Sequence, residues 1–270
     1  MNQGFSLKDK AIVVTGATGI LGKAFIEGIA SAGGAVGILG RNEKVATERA
    51  EAVIKSGGRA VPLIADVMNE TQLKAAQKTM LDTFGKIDGL VNGAGGNMPE
   101  GVLQPSADIF ALNIEGMRKV MDLNLWGTLT PTQIFGETIA QTGGSIVNIS
   151  SVSSTTAITR VLGYSMGKAA IDSYTRWFAV ELANRYGDKV RMNGLVPGFF
   201  LTEQNRTLLT QPDGSYTERG DLIIKKTPFK RMGKPEELIG ALVWLLSDAS
   251  SFVTGTTIDV DGGFLAFGGV

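Results

Sequence analysis

The sequence predicts an α/β fold in which a doubly wound parallel β-sheet carries helices on both faces. Short runs rich in β-branched residues alternate with longer amphipathic segments along most of the chain, which is the pattern of repeated βαβ units. Runs such as AIVVT and SIVNI are apolar almost throughout, as expected of parallel strands buried on both faces. A glycine-rich turn follows the first run directly. These observations predict a single domain spanning residues 1–270.

The N-terminal half contains four predicted strands and three predicted helices. The strands cover residues 11–15, 35–39, 60–64 and 89–92, and the helices cover about 21–32, 46–55 and 70–84. The third strand is the weakest of these predictions, because Pro62 lacks the N–H group that a central strand needs.

The C-terminal half continues the alternation with longer helices. Predicted helices cover about residues 117–142, 163–186 and 237–246, and predicted strands cover 145–149, 190–196 and 257–260. Residues 97–114 and 199–233 are too long for ordinary connections, so each is either a functional lid or a disordered segment. The second stretch contains apolar residues that are expected to anchor it, which favours a lid with its own helices: Leu208, Leu209, Ile223, Ile224 and Phe229.

The chain of 270 residues contains no His and no Cys. This excludes Ser-His-Asp catalysis, thiolate nucleophiles, disulfides and His- or Cys-ligated metals. It leaves a carboxylate-ligated magnesium or calcium site open, although no metal is predicted. Proton transfer near neutral pH then falls to Asp, Glu, Lys or Tyr, of which the last two need shifted pKa values. The chain has 26 basic and 26 acidic residues, so its formal net charge is zero and gives no reason to expect nucleic acid or a membrane surface as partner. No long apolar segment or signal-type N-terminus is present, so a cytoplasmic location is expected.

The glycine-rich turn, TGATGILG at residues 15–22, connects a predicted strand to a predicted helix. Backbone N–H groups at such a turn, together with the positive end of the helix dipole, suit a pyrophosphate. The turn therefore predicts a Rossmann-type dinucleotide site, against the alternative of a tight turn without a ligand.

The end of the second strand bears on cofactor choice. Folds of this type often carry an acidic residue there to bind the adenosine ribose, but this chain has Arg41 and Asn42. An arginine is suited to a 2′-phosphate or to stacking on adenine, and the alternative is a solvated surface side chain. We expect NAD or NADP as cofactor, with Arg41 allowing NADP.

Ser151, Tyr164 and Lys168 form a candidate reaction centre. Tyr164 and Lys168 are four residues apart on a predicted helix and so share one face, and Ser151 follows the strand SIVNI. A nearby ammonium and a nicotinamide cation both favour tyrosinate, so a lowered Tyr164 pKa is expected. Tyr164 would then exchange a proton with the substrate oxygen, which Ser151 would bind. The alternative is that a Tyr–Lys pair at this spacing belongs to an ordinary helix surface without a catalytic role.

Seven motifs together resemble the short-chain dehydrogenase/reductase family over essentially the whole chain. They are TGATGILG, NGAG at residues 92–95, Asn124 in LNLWG, Ser151, YSMGK at 164–168, PG at 197–198 with Thr202, and TG at 254–255 with VDGG at 260–263. One departure is Ile20, which stands where the family's usual pattern has glycine, while Gly19 precedes it. A slightly altered turn with an intact phosphate site is expected.

The resemblance implies a role for each matching residue. Catalytic roles fall to Asn124, which would position a relay water, and to Ser151, Tyr164 and Lys168, the last holding the nicotinamide ribose. Asp66 would contact adenine, Asn92 and Gly93 would lie beside the adenosine ribose, and residues 197, 198 and 202 beside the carboxamide. The implied cofactor-binding set is Gly16, Thr18, Gly19, Ile20, Leu21, Arg41, Asn42, Asp66, Val67, Asn92, Gly93, Ala94, Tyr164, Lys168, Pro197, Gly198 and Thr202.

The C-terminal third resembles family members that interconvert D-mannonate and D-fructuronate, which implies a sugar-acid substrate. Ser151 would bind its reacting oxygen, and a carboxylate needs cationic or amide donors. The candidates are Arg160, Gln204, Asn205 and Arg206, each of which is otherwise a solvated or intersubunit residue.

Three alternative functions share parts of the pattern. Gluconate 5-dehydrogenase and 3-oxoacyl-acyl-carrier reductase carry the same motifs, and a dinucleotide sensor without turnover would keep the cofactor site. The family also implies a homodimer or homotetramer, assembled through the helices that carry Asn124 and Tyr164.

Overall fold

A computed structural model describes residues 3–269, except for the side chains of Gln3, Glu203 and Gln204. It confirms the predicted fold class. Seven parallel strands form one sheet in the order β3-β2-β1-β4-β5-β6-β7. The chain builds the sheet outward from β1 to one edge and then from β4 to the other, so the winding reverses between β1 and β4. Ligand crevices of doubly wound sheets lie at such a point, outside the carboxyl ends of the strands.

The strands and helices alternate as predicted. The strands are β1 (Ala11–Thr15), β2 (Ala35–Gly40), β3 (Arg59–Ile64), β4 (Gly89–Asn92), β5 (Gly144–Ile149), β6 (Val190–Pro197) and β7 (Thr257–Val260). The helices are α1 (Ile20–Ser31), α2 (Glu43–Lys55), α3 (Glu70–Phe84), α4 (Ile114–Thr142), α5 (Leu162–Tyr186), α6 (Glu203–Leu209), α7 (Glu218–Lys226) and α8 (Ile239–Leu246).

Pro62 is compatible with β3 because β3 is an edge strand. It lies beside Ile38 of β2, and no strand within residues 3–269 pairs with the other side of β3. A missing N–H group is tolerated where a strand has one open side. The predicted third strand is therefore confirmed.

Two hydrophobic cores cover the two faces of the sheet. Ile12 and Val14 of β1 pack into one core with Phe25 of α1, whereas Val13 packs into the other with Phe135 of α4. The alternation follows from the strand geometry, which points successive side chains to opposite faces. Both faces are thus closed to water, and the ends of the strands remain for ligand binding.

The stretch after β6 folds back on itself, as expected of a lid. Leu209, Ile223 and Met232 form a small core between α6 and α7, and a bridge pairs Phe200 with Gly233 at the base. The expectation that Phe229 anchors this segment is wrong, because its side chain is 69% exposed. Thr227 and Lys230, on either side of it, bond to each other through their backbone, and the resulting turn directs Phe229 outward.

Among residues 3–269, no helix combines the length and apolar character needed to cross a membrane.

Candidate active site

The glycine turn is packed tightly between β1 and the chain after β4. Thr15 Oγ1 accepts hydrogen bonds from the N–H groups of Gly93 and Ala94, both at 3.1 Å. Gly16 has φ +65°, and a Cβ on it would lie 2.6 Å from the Gly93 carbonyl oxygen. A Cβ on Gly22 would overlap the carbonyl oxygen of Gly16. Both positions therefore require glycine, which lets α1 begin directly at the crevice.

The N-terminus of α1 has the properties of a phosphate site. The helix begins at Ile20 after Gly19, without a capping side chain and without an acidic residue in its first turn. Arg49 donates to the carbonyl groups of Ala17 and Gly19 and so braces the turn. Because the first N–H groups of a helix need acceptors and carry partial positive charge, this turn fits the pyrophosphate of a dinucleotide. Ile20 leaves the turn intact.

The ends of β2 and β3 form the predicted adenosine region. Arg41 is mostly exposed, and its Nη1 lies 3.6 Å from Asp66 Oδ2. Asp66 is also held by the N–H of Met68, which donates to its Oδ1. The Asn42 side chain caps α2 by accepting from the Val45 N–H. The Arg41 guanidinium and the Asp66 carboxylate thus lie together at the carboxyl ends of β2 and β3.

Three further members of the predicted cofactor set make packing contacts inside the fold. Thr18 lies against Gly40, where a Cβ would come 2.6 Å from its side chain. Leu21, in the first turn of α1, packs against the hydrophobic core that contains Phe25. Val67 is 7% exposed and contacts α4 at Gly127, where a Cβ would lie 3.1 Å from the valine.

Asn92 is placed in the crevice, but its side chain belongs to the core. Its Nδ2 donates to Thr132 Oγ1 and to Asn148 Oδ1, both at 2.8 Å, and the residue is 1% exposed. Asn148 continues the chain of hydrogen bonds to Thr175 Oγ1. The side chain is therefore committed to joining β4 with α4 and β5, which leaves only the backbone of Asn92 for an adenosine ribose.

Ser151, Tyr164 and Lys168 come together at the carboxyl end of β5. Ser151 follows β5 and receives hydrogen bonds from the N–H and the hydroxyl of Ser153, at 3.2 and 3.1 Å. Lys168 is 5% exposed; its Nζ donates to the Ile149 carbonyl at 2.8 Å and lies 5.6 Å from the centre of the Tyr164 ring. The predicted Ser–Tyr–Lys arrangement is thus present in the fold.

Burial shifts the pKa values of both ionisable groups at this centre. In the protein without cofactor, burial raises the pKa of Tyr164, and a hydrogen bond with Ser151 opposes this shift. Without the cofactor, desolvation of the phenolate is the largest influence on this pKa, and a lowering by Lys168 and a nicotinamide cation together stays a prediction. Burial also lowers the pKa of Lys168 to about 8, against the opposing charge of Asp172.

Asn124 ties α4 to the turn after β4. Its Oδ1 accepts from the Gly96 N–H at 3.1 Å, and its Nδ2 donates to the Gly96 and Val120 carbonyls, both at 2.7 Å. A Cβ on Gly95 would lie 2.7 Å from Asn124 Oδ1 and 3.3 Å from Lys168 Nζ, so both side chains meet at this turn. The amide already has protein partners, and a relay water would have to be positioned through the backbone.

The chain after β6 contains residues predicted to bind the nicotinamide and residues predicted to bind the substrate. The Gly198 N–H donates to the Val260 carbonyl at 3.0 Å, which holds the chain after Pro197 against β7. Thr202 precedes α6, where the Asn205 side chain accepts from its N–H and donates to Phe200. Asn205 therefore caps a helix, and its predicted role as a substrate donor is not supported by its contacts.

The three other substrate candidates have different outcomes. Arg206 is exposed on α6, and the side chain of Gln204 lies outside the described residues. Arg160 is partly buried and donates to the Leu103 carbonyl at 3.0 Å. Sequence reasoning missed Arg219 on α7, which donates to Thr159, the neighbour of Arg160. Nothing in the sequence distinguishes Arg219 from the exposed basic residues on the same helix.

In the described part of the chain, no three His, Cys, Asp or Glu side chains are grouped so as to hold a metal ion.

The fold and this site together define a nucleotide-binding α/β oxidoreductase, and comparisons with known proteins agree. A family model described as enoyl-(acyl carrier protein) reductase matches residues 16–265. The uncharacterized oxidoreductase UxuB of Bacillus subtilis is 39% identical, over 98% of both chains. The chain belongs to the short-chain dehydrogenase/reductase family, and it is an oxidoreductase that uses a nicotinamide cofactor.

Two solved structures resemble the chain over nearly its whole length. One is a candidate D-mannonate oxidoreductase from Haemophilus influenzae with bound NAD, with a TM-score of 0.89, 36% identity and 98% of both chains covered. The other is a gluconate 5-dehydrogenase from Burkholderia cenocepacia with NADP and tartrate, with a TM-score of 0.86, 34% identity and the same coverage.

Proposed function

We propose that the protein transfers a hydride between a nicotinamide cofactor and a sugar acid, interconverting D-mannonate and D-fructuronate. The similarity to the candidate D-mannonate oxidoreductase of Haemophilus influenzae over 98% of both chains carries this proposal. The gluconate 5-dehydrogenase similarity, at 34% identity, supports a 5-keto-gluconate as the second candidate. Both candidates share a polyhydroxy carboxylate, which sets the chemistry that the substrate pocket must recognise.

The residues of the glycine turn would hold the cofactor. The uncapped first turn of α1 suits the pyrophosphate, and Arg41 suits a 2′-phosphate, so that NADP is accepted as well as NAD. The nicotinamide end would lie beside residues 197, 198 and 202, next to Tyr164 and Lys168. When bound, the cofactor supplies or accepts the hydride and adds positive charge when it is oxidised.

Tyr164 would exchange the proton with the substrate oxygen, and Ser151 would hydrogen-bond to that oxygen. The Tyr164 phenol carries its proton at neutral pH, which is the form that donates during carbonyl reduction, and burial raises its pKa further in the free protein. In the reverse direction, positive charge from Lys168 and from the oxidised cofactor would favour the phenolate. Asn124 would keep the turn at Gly95 and Gly96 in place beside Lys168.

Assembly as a homodimer or homotetramer forms part of the proposal. Trp126 of α4 and Trp177 and Val180 of α5 are 49%, 63% and 59% exposed, which leaves apolar area on these helices for a second copy. By contrast, Phe264 in the C-terminal segment is 3% exposed and stacks edge-on against Phe199, so this aromatic packs within the protomer. A cytoplasmic location stays a prediction.

The decisive experiment is reduction of D-fructuronate, followed at the nicotinamide absorbance with NADH and with NADPH. Wild-type protein should turn over D-fructuronate with a higher kcat/KM than 5-keto-gluconate or a 3-oxoacyl thioester. The Tyr164→Phe variant should lose about 100-fold or more in kcat, because general acid catalysis contributes about that much. Its cofactor Kd should stay unchanged, since the ring that packs beside Lys168 is retained.

Faster turnover of 5-keto-gluconate would support the second candidate instead. Turnover of none of these carbonyls, together with normal cofactor binding, would support a sensor. Full activity of Tyr164→Phe would contradict the proposed proton path.

A further inference from the structure

Three connections meet above the carboxyl edge of the sheet, and two arginines lie at their junction. Leu103 and Gln104 follow β4, Thr159 and Arg160 lie between Ser151 and Tyr164, and Arg219 belongs to α7 of the lid. Arg160 donates from Nε to the Leu103 carbonyl at 3.0 Å and from Nη2 to Gln104 Oε1 at 3.3 Å. The Leu103 N–H returns a bond of 2.9 Å to the Arg160 carbonyl.

Arg219 brings the lid to the same place. Its Nη1 donates to Thr159 Oγ1 at 3.0 Å and its Nη2 to the Thr159 carbonyl at 3.1 Å. These bonds hold its guanidinium against the residue that precedes Arg160. Burial and the positive charge of Arg160 lower the pKa of Arg219, as expected of two cations that lie near each other.

The two like charges have no carboxylate partner in the described residues. Glu218 and Asp221 are near Arg219 on the same helix, but neither forms an ion pair with it. Each guanidinium has five N–H donors and spends two of them on the contacts above, so three remain on each. Two partly buried guanidiniums with spare donors favour an anion between them.

The backbone of Arg160 is held in an unfavourable conformation. Its φ is +77°, in the left-handed region that a long side chain rarely adopts. Such strain is maintained only where the surrounding contacts over-determine it, and it is concentrated at binding and catalytic sites. Here the hydrogen bonds to the Leu103 carbonyl and to Gln104 fix the position of the Arg160 side chain.

We propose that Arg160 and Arg219 together bind the carboxylate of the substrate, with Arg219 supplied by the lid. This inference rests on the proposed sugar-acid chemistry and assigns its charged group to a site shared by the β5–α5 connection and α7. The carboxylate would remove the repulsion between the two cations. Substrates with a carboxylate would therefore hold α7 against the β5–α5 connection, and uncharged polyols would not.

The test is ligand binding in the absence of turnover. D-mannonate, D-gluconate and the uncharged D-mannitol are titrated calorimetrically into the full-length protein saturated with NADH, a form that cannot oxidise them. The Arg219→Met variant should bind both carboxylates about 10- to 100-fold more weakly, the range expected for a lost charged hydrogen-bond pair. Its D-mannitol Kd should stay within twofold of the wild type, and Arg219→Lys should recover part of the affinity.

Two control variants separate charge recognition from a structural role of the lid contact. Lys225→Met removes an exposed positive charge from the same helix and should leave all three Kd values unchanged. Thr159→Val removes the Oγ1 acceptor of Arg219 but keeps both guanidiniums, and should change carboxylate binding less than threefold. If Thr159→Val were as damaging as Arg219→Met, the arginine would act by latching the lid, and the proposed carboxylate site would be wrong.

The outcomes also distinguish this inference from the proposed function. Arg219-dependent binding of both carboxylates, with no turnover of D-fructuronate, would support the site and refute the proposed reaction. Turnover of D-fructuronate with unchanged carboxylate binding in Arg219→Met would do the reverse. Wild-type protein that binds neither carboxylate would overturn both.

Discussion

Lys168 is a buried cation, so its replacement should change how stability depends on pH. The pKa of Lys168 in the folded protein is lowered from 10.5 to about 8 by burial. At about 1.36 kcal/mol per pH unit, keeping this ammonium buried at pH 7 costs about 3 kcal/mol. The folded state releases the proton near pH 8, whereas the unfolded chain holds it until about 10.5. The contribution of Lys168 to the free energy of unfolding therefore rises with pH through this window.

For Lys168→Met, we expect a change in the slope of the free energy of unfolding plotted against pH. With these pKa values, two-state linkage raises the free energy of unfolding of the wild-type protein by about 2 kcal/mol between pH 7 and pH 9.5. The variant lacks this increase. Loss of the hydrogen bond to the Ile149 carbonyl removes about 1 kcal/mol from the variant at every pH. The chain contains no His and no Cys, so few other groups titrate in this range.

The assay is urea unfolding of the cofactor-free proteins at pH 7, 8 and 9.5, followed by circular dichroism at one protein concentration. The exposed-lysine variant Lys225→Met is the control and should follow the wild-type curve. Parallel wild-type and Lys168→Met curves across this range would refute the reasoning, because they would mean that Lys168 is as well solvated in the folded protein as in the unfolded chain.

Two further predictions concern the cofactor site. Arg41→Ala should lower kcat/KM with NADPH about tenfold and change the NADH value less than twofold, because only NADPH carries the phosphate that the guanidinium would bind; an unchanged ratio would contradict this role. Gly22→Ala should weaken NADH binding at least tenfold in a fluorescence titration, since its Cβ would overlap the carbonyl oxygen of Gly16. Gly240→Ala, which meets no atom within 4 Å on α8, should leave NADH binding unchanged and stabilise the protein by about 0.5–1 kcal/mol. Equal NADH affinities for the two alanine variants would show that the turn tolerates a side chain.

The alternation of strands and helices could be predicted from the sequence because its causes are local. A β-branched run such as residues 11–15 and an amphipathic segment such as 70–84 have the same bounds in the structure as in the prediction. The glycine turn and the Tyr164–Lys168 pair were also predictable, since each depends on short spacing along one strand end or one helix face.

Contacts between distant segments could not be predicted in this way. The meeting of Arg219 with Thr159 joins residues 60 apart in the chain, and the burial of the Asn92 side chain against Thr132 joins residues 40 apart. No periodicity encodes either contact. Only the packing of α7 over the β5–α5 connection decides the first, and only the packing of α4 on the sheet decides the second.

The sequence by itself determined which residue types carry the proton chemistry, because a chain without His and Cys leaves Tyr and Lys for that work. The tertiary structure decided the direction in which their pKa values shift. Burial raises the pKa of Tyr164 and lowers that of Lys168. Stabilisation of tyrosinate would instead need a lowered Tyr164 pKa. Desolvation depends on every atom packed around a group, and that surrounding exists only once the chain has folded.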